Sequence, residues 1–396
     1  MLLPNSLRTA EGVGSFTTAS IAGKKVMLYT QEGIPPGETG TNMLYLWVTD
    51  NNRTFQVGPI SMDTTEEITS SNTLLYSNDA LHLLQERVSK TTTGVSLSPL
   101  TDALKTITSV LETWAKLDAS LSKLSAPTAG LVGFLSDASG DGTWNDAYRC
   151  VDATVTNAKK VEDGFKFTGS ESYAMWPVNM REYHSVHSFV DYAFTLVATV
   201  TIDEVPNGGA SLLGASLGDN ENTTFVGLLY TLANEWETVF SGTATRSEIT
   251  WEWGKEYQVA LILQGNEGSV YVDGVLVGSS KTLPTIEARR HEMTHFYFGG
   301  GKDGSARVKN VFLYNRPLSE EELKKVDDSN ASWKRAADSS DGSGKSTADG
   351  SKASEHRAVD SSKASGKPAG DSSTRADGFR VLILLLLGLW GFAALC

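Results

Sequence analysis

Three groups of side chains in this chain have types and spacings that suggest chemistry. His291-Glu292-Met293-Thr294-His295 matches the zinc-hydrolase pattern, in which two imidazoles one helical turn apart hold the metal and the glutamate acts as base. That geometry needs a helix, and here the motif runs straight into the strand-like THFYFGGG (Thr294–Gly301). Extended chain would set the imidazoles roughly 13 Å apart. SDASGDGTW (Ser136–Trp144) puts Asp137, Ser139, Asp141 and Gly142 at the opening positions of a calcium loop. Tyr148 stands where the bidentate carboxylate belongs, so the stretch reads as a solvated hairpin. Cys150 and Cys396, the only cysteines, make no CxxC pattern. No metal and no cofactor are expected.

Composition removes another class. The 396 residues carry a formal net charge of −13, and without a basic stripe to neutralise phosphates, nucleic acid is excluded as a partner. The two ends point to the cell surface and to a longer gene. Val381–Cys396 (VLILLLLGLWGFAALC) is apolar and uncharged but short of the ~20 residues of a spanning helix. Ahead of it lie the small residues Ala369 to Ser373 and the polar spacer Thr374–Arg380. That order is a GPI-attachment signal, with Asp371 or its neighbours Gly370 and Ser372 taking the anchor, and it predicts attachment to the outer leaflet of the plasma membrane. The start, MLLPNSLRTAEG, is not a secretory signal because Pro4 and Asn5 interrupt any apolar core. The reading frame is therefore expected to begin inside a longer gene.

Between the ends the pattern is mostly β. KKVMLYT (Lys24–Thr30), MLYLWV (Met43–Val48), RTFQVGPI (Arg53–Ile60), TLLY (Thr73–Tyr76) and ALHLLQE (Ala80–Glu86) read as strands separated by turn residues. They amount to about one propeller blade, which cannot hide its own edges. Leu100, Leu104, Ile107, Leu111, Trp114, Leu117, Leu121 and Leu124 then recur every three or four residues, the stripe of a helix. Ser98 and Pro99 are expected to cap and open it, and Pro127 to stop it. From Gly130 to about Arg316 regular strands without a long helix predict a β-sandwich, with a hairpin turn at Asp273-Gly274. Ser319 and Glu322 form a capping box for a short helix. Residues 331–376, rich in Ser, Ala, Gly, Asp and Lys, read as a disordered stalk.

Val308–Arg316 (VKNVFLYNR) resembles the VTVxNVxLYNR hallmark of the trypanosome trans-sialidase superfamily, with Ala306 and Arg307 replacing the opening Val-Thr. LVGFLSDAS, WNDAYRCVDATVTNA, GFKFTG, FTLVATVTIDEVP and HFYFGGG are similar to the same family, and the similarity runs from about Gly14 to Val326. The resemblance implies a mainly β chain. Its parts are the remnant of a sialidase β-propeller (1–97), a linker α-helix (98–126) and a concanavalin A-like, laminin G-like β-sandwich (127–328). The stalk (329–376) and the GPI signal (377–396) follow.

The resemblance also locates catalytic positions. The arginine that grips the sialate carboxylate falls at Thr41 and the aromatic that stacks on the acceptor sugar at Thr39; a hydroxyl cannot replace a bidentate guanidinium. The tyrosine nucleophile falls at Ser71, leaving its paired glutamate, Glu86, as a retained remnant. SDASGDGTW is two residues short of a sialidase Asp-box. The family's partner for Cys150 lies just before the LVGF strand; LSKLSAPTAG has no cysteine, so Cys150 is expected to be unpaired.

The expected function is that of a non-enzymatic, GPI-anchored parasite surface glycoprotein serving adhesion and immune evasion. Host glycoproteins and laminin or other host surface ligands are its expected partners. The alternatives are a residual exo-α-sialidase or trans-sialidase activity, or a gene fragment without function. The resemblance implies that Val308, Lys309, Asn310, Val311, Phe312, Leu313, Tyr314, Asn315 and Arg316 serve in attachment. Their alternation, with Val311 and Leu313 on one face and Phe312 and Tyr314 on the other, instead predicts burial on both sides, with Lys309 and Arg316 as the exposed contacts. Asn52, Asn222 and Asn330 head glycosylation sequons. Trp176, Tyr230, Trp236, Trp251 and Trp253 are candidate sugar-stacking rings, although core packing is the commoner role.

Overall fold

The computed structural model describes residues 14–33, 42–64, 67–138, 142–178, 187–218 and 223–327. The chain opens with a four-stranded antiparallel sheet of β1 (Phe16–Ile21), β2 (Lys24–Gly33), β3 (Met43–Thr49) and β4 (Thr54–Met62) in sequence order. A second, three-stranded sheet follows: β5 (Glu67–Ser77), β6 (Ala80–Ser89) and β7 (Thr93–Pro99). The single blade expected from sequence is thus two sheets. β1 and β7 escape the apolar-run criterion because Phe16–Ile21 and Thr93–Pro99 are rich in Thr, Ser and Gly.

α1 spans Thr101–Lys123. Ser98 and Pro99 do not cap it, contrary to expectation. They end β7, whose pairing with β6 extends to Pro99 opposite His82, and the N-cap is Leu100, without a side-chain hydrogen bond. The sheet ladder outcompetes the cap because the Leu100 N–H donates to the Leu81 carbonyl at 2.8 Å, consuming a group that would otherwise need one. The apolar stripe behaves as predicted: Ile107, Leu111, Trp114 and Leu121, with Val110 beside them, are buried.

The remaining strands are β8 (Leu131–Ala138), β9 (Thr143–Asp146), β10 (Ala153–Thr156), β11 (Lys159–Val161), β12 (Gly164–Thr168), β13 (Tyr173–Pro177), β14 (Ala193–Glu204) and β15 (Gly209–Leu217). After them come β16 (Thr224–Thr231), β17 (Glu235–Phe240), β18 (Thr243–Thr250), β19 (Glu256–Gln264), β20 (Glu267–Val272), β21 (Val275–Ser280), β22 (Met293–Gly299) and β23 (Ser305–Tyr314). They form one continuous sheet in the order β18-β17-β16-β15-β22-β13-β10-β9-β8-β23-β14-β19-β20-β21, with β12 on β23 and β11 on β12. The strip folds back on itself, so that a Cβ added at Gly278 of β21 would strike Thr238 of β17. The predicted sandwich is therefore nearly closed, barrel-like, with its two halves facing each other across one core that includes Trp144, Trp176, Phe194, Leu261 and Leu313. The Asp273-Gly274 hairpin has both residues at positive φ (48° and 73°), as a two-residue turn requires. Ser319 and Glu322 close the expected capping box, with reciprocal bonds of 3.0 and 3.3 Å at the head of a helix over 320–327.

Candidate functional site

β23, the strand of the VKNVFLYNR motif, lies inside the continuous sheet, bonded to β14 on one side and to β12 and β8 on the other. Its two faces feed two different cores. Val308, Val311 and Leu313 belong to the interior of the sandwich. Phe312 and Tyr314 join a second cluster containing Ile107, Leu111 and Trp114 of α1 with Leu28, Leu46 and Leu83 of the small sheets. Phe312 stacks on Phe134 with ring centroids 4.2 Å apart. Strand alternation thus welds the sandwich to the helix and to the sheets before it.

At Asn310 the strand is irregular: the register with β14 shifts, and the residue adopts φ 47°. Asparagine tolerates this left-handed conformation better than a branched residue would. Its N–H donates to the Asp163 carbonyl at 3.1 Å. Gly164 is dictated by the same crowding, since a Cβ there would collide with the Val308 carbonyl.

The end of the motif clamps the segment that enters the sandwich. Tyr314 Oη donates to the Pro127 carbonyl at 3.1 Å, the Asn315 N–H to that of Gly130 at 2.8 Å, and Arg316 Nε to that of Ala129 at 2.9 Å. Gly130 is required there, at φ 78° and packed against Asn315 and Arg316. Arg316, predicted to be an exposed contact, forms a bidentate pair with Glu322 at 2.6 and 3.0 Å. That partner holds the Glu322 carboxyl down to about 2. Lys309 is half-buried.

A second hub has no counterpart in the sequence reading. Arg53, 2% exposed, donates to Asp118 of α1 at 2.7 and 3.1 Å and to the Leu131 carbonyl at 3.0 Å. Its guanidinium lies 4.1 Å from the Tyr148 ring centroid, and Tyr148 Oη also donates to Asp118, at 2.8 Å. A lone arginine at a strand start and a lone aspartate beside a helical stripe gave no spacing by which to pair them. Next to Tyr148, the buried Asp146 accepts backbone N–H bonds from Phe134, Tyr148, Cys150 and Val151 at 2.9 to 3.3 Å. Burial pushes its carboxyl up to about 6 against the pull of those four donors. Cys150 is unpaired and half-buried, and burial, with Asp146 nearby, pushes its thiol well above the usual range.

At the catalytic positions, Ser71 stands opposite Glu86 across β5 and β6. Ser71 Oγ donates to the Glu86 carboxylate at 3.3 Å and Ser70 Oγ at 3.0 Å. Thr39 and Thr41 lie outside the described residues, as do Asn222, Asn330, Gly370, Asp371, Ser372 and positions 139–141 of the calcium-like loop. Asn52 is exposed, in the bend that precedes Arg53. His295 stands in β22 and residues 284–292 approach it through turns, so the two histidines share no helical face. Of the candidate sugar-stacking rings, Trp176, Tyr230, Trp236 and Trp251 are buried, while Trp253 is 70% exposed.

Three family models match: "Trans-sialidase, C-terminal domain" over residues 127–321, "BNR repeat-like domain" over 4–86, and "Trans-sialidase of Trypanosoma hydrophobic C-terminal" over 372–395. The chain belongs to the trans-sialidase superfamily. Among relatives in this superfamily, "Sialidase 85-1.1" of Trypanosoma cruzi is 47% identical over 334 residues, 80% of this chain and 44% of that protein. "Sialidase 85-1.3" of the same organism is 45% identical over 42% of this chain and 99% of its own. The solved structure of Trypanosoma rangeli sialidase superposes with a TM-score of 0.72 at 36% identity, covering 79% of this chain and 52% of that one. The chain thus spans about half the length of that sialidase and less than half of "Sialidase 85-1.1".

Proposed function

We propose that this chain is a non-enzymatic surface glycoprotein of the trans-sialidase superfamily, held by a GPI anchor, and that it serves host adhesion and immune evasion. One observation carries the non-enzymatic reading: the partner of Glu86 across the β5–β6 ladder is a serine, with its hydroxyl 3.3 Å from the carboxylate. A serine there has no phenol to attack the anomeric carbon, and Glu86 alone forms no glycosyl-enzyme intermediate. The match of the hydrophobic C-terminal model to residues 372–395 supports the anchor, with Asp371 or its neighbours Gly370 and Ser372 as the attachment point. No helix among the described residues is long and apolar enough to cross a membrane.

Host glycoproteins and laminin are the proposed partners, and the adhesive surface lies away from the hallmark motif. Residues Val308 and Asn310 to Tyr314 are buried, so their side chains offer a ligand nothing while the domain is folded. The test uses the full chain. Turnover of sialyllactose is expected to stay at background, and a measurable rate that restoring tyrosine at position 71 increases would reverse the assignment. Binding to host cells and laminin is expected to saturate and to persist in excess Val308–Pro317 peptide; block by the peptide would put the site back on β23.

A further inference from the structure

Trp253 is the one exposed tryptophan among the described residues: Trp47, Trp114, Trp144, Trp176, Trp236 and Trp251 are each at most 2% exposed, Trp253 70%. It is exposed but fixed. Its Nε1–H donates to the Asp203 carbonyl at 2.6 Å, and the Gly254 N–H to that of Ile202 at 2.9 Å. With the polar edge of the indole engaged, what remains in solvent is a flat apolar face.

The ring does not stand alone. Three loops meet at this end of the sandwich: Trp251 N–H donates to the Asn234 carbonyl at 2.8 Å, and Leu232 N–H to that of Gly208 at 3.2 Å. Each loop exposes one large apolar side chain, Val205 (42%), Leu232 (61%) and Trp253. Beside them opens a cleft of about 470 Å³ lined by Gly208, Gly209, Thr231, Leu232, Glu237 and Arg246, among others. That volume lies within the range of small-ligand sites. The side chains supply both donors and acceptors.

We propose that this end of the sandwich binds carbohydrate, Trp253 stacking on the C–H face of a neutral pyranoside while the cleft takes the next sugar of the glycan. A pyranose combines one apolar face with a rim of hydroxyls, and a fixed ring beside mixed donors and acceptors complements it. Charge selects the neutral class. Asp203, Glu204, Glu235, Glu237 and Glu252 outnumber Lys166, Arg246, Lys255 and Arg307 here, and each of the four cations already lies within 3.9 Å of a carboxylate. An anionic sugar would meet net repulsion. The same carboxylates disfavour insertion of these loops into an anionic membrane surface. The inference rests on the reading of the sandwich as a binding module and names its ligand chemistry.

The test is saturation-transfer NMR on the full chain with lactose, maltose, chitobiose and mannobiose, and with sialyllactose as the charged control. At least one neutral sugar is expected to bind in preference to sialyllactose. Trp253→Ala should weaken that binding tenfold or more, Trp253→Phe should keep most of it, and thermal midpoints should stay close to wild type because the ring is outside the core. Failure of all four neutral sugars, indifference to Trp253→Ala, or preference for sialyllactose overturns the site. So does Trp253-dependent pelleting with phosphatidylcholine vesicles, which makes the patch a membrane contact. Laminin and cell binding that survives while no sugar binds overturns this site and leaves the adhesion reading standing. Trp253-dependent sugar binding without laminin or cell binding supports the site and removes that reading.

Discussion

β23 and the β5–β7 sheet both carry apolar side chains on both faces, and they meet opposite fates. Every apolar residue of β23 from Val308 to Tyr314 is at most 1% exposed, because the sandwich interior covers one face and α1 with the small sheets covers the other. In β5–β7, Leu74, Leu81 and Leu83 are buried on the inner face, whereas Ile68, Leu75, Leu84, Val95 and Leu97 on the outer face are 40–69% exposed. No described residue covers that outer face. Apolarity on both faces therefore states a demand for cover, and the fold around the strand decides whether it is met.

The largest expected effect tests that contrast directly. Phe312→Ala removes a ring stacked in the second core and should cost about 3–5 kcal/mol of stability in denaturant unfolding. Leu97→Ala on the open face should cost much less; equal losses would erase the distinction. Next comes the Arg53 hub, which ties the turn before β4 to α1 and to the start of β8. Arg53→Ala leaves Asp118 and Tyr148 without their cation and should cost about 3 kcal/mol. Arg53→Lys should recover only part of this, since an ammonium cannot span the two Asp118 oxygens and the Leu131 carbonyl together.

The acid limb sharpens the comparison within the sandwich. Burial lowers the His187 imidazole to about 4. Between its unfolded value near 6.5 and 4, the unfolded chain therefore binds the proton and the folded chain does not, so this group makes stability fall as pH drops through that window. Asp146, raised to about 6, acts with the opposite sign between about 4 and 6. His187→Gln should remove about 2–3 kcal/mol of the acid-side loss, read as the difference between the two stability–pH curves. A smaller effect belongs to the motif's end: Arg316→Ala should cost about 1 kcal/mol, the scale of a partly exposed pair, and leave laminin binding unchanged. Smallest of all, Val95→Lys with Leu97→Lys should shift stability by no more than about 0.5 kcal/mol while reducing self-association by light scattering, because lysine on an open edge strand opposes pairing with another chain.

Much of this was legible because periodicity reports burial. The α1 stripe, the Asp273-Gly274 hairpin, the Ser319–Glu322 box and the two faces of β23 all stand where spacing placed them. Ser98 and Pro99 misled because a cap signal is local, while the β6–β7 ladder that claims both residues is a pairing the local pattern does not encode. At Arg316 charge indicated a partly exposed side chain but not its partner, because Glu322 arrives through the capping turn that follows. Arg53 with Asp118, and Asp146 with its four amides, were illegible because their partners come from separate elements. The aromatic candidates split the same way, composition naming five rings and the fold leaving one, Trp253, in solvent.

The measurement that bears most directly on the central claim is amide hydrogen exchange across the full chain, comparing β23 with β7. Amides of Val308 to Tyr314 are expected to exchange only through global unfolding, while those of Thr93 to Leu97 on the open edge exchange far sooner. Exchange of β23 as fast as that of β7, with the rest of the sandwich still protected, would contradict the account and return the hallmark strand to the surface as a candidate contact.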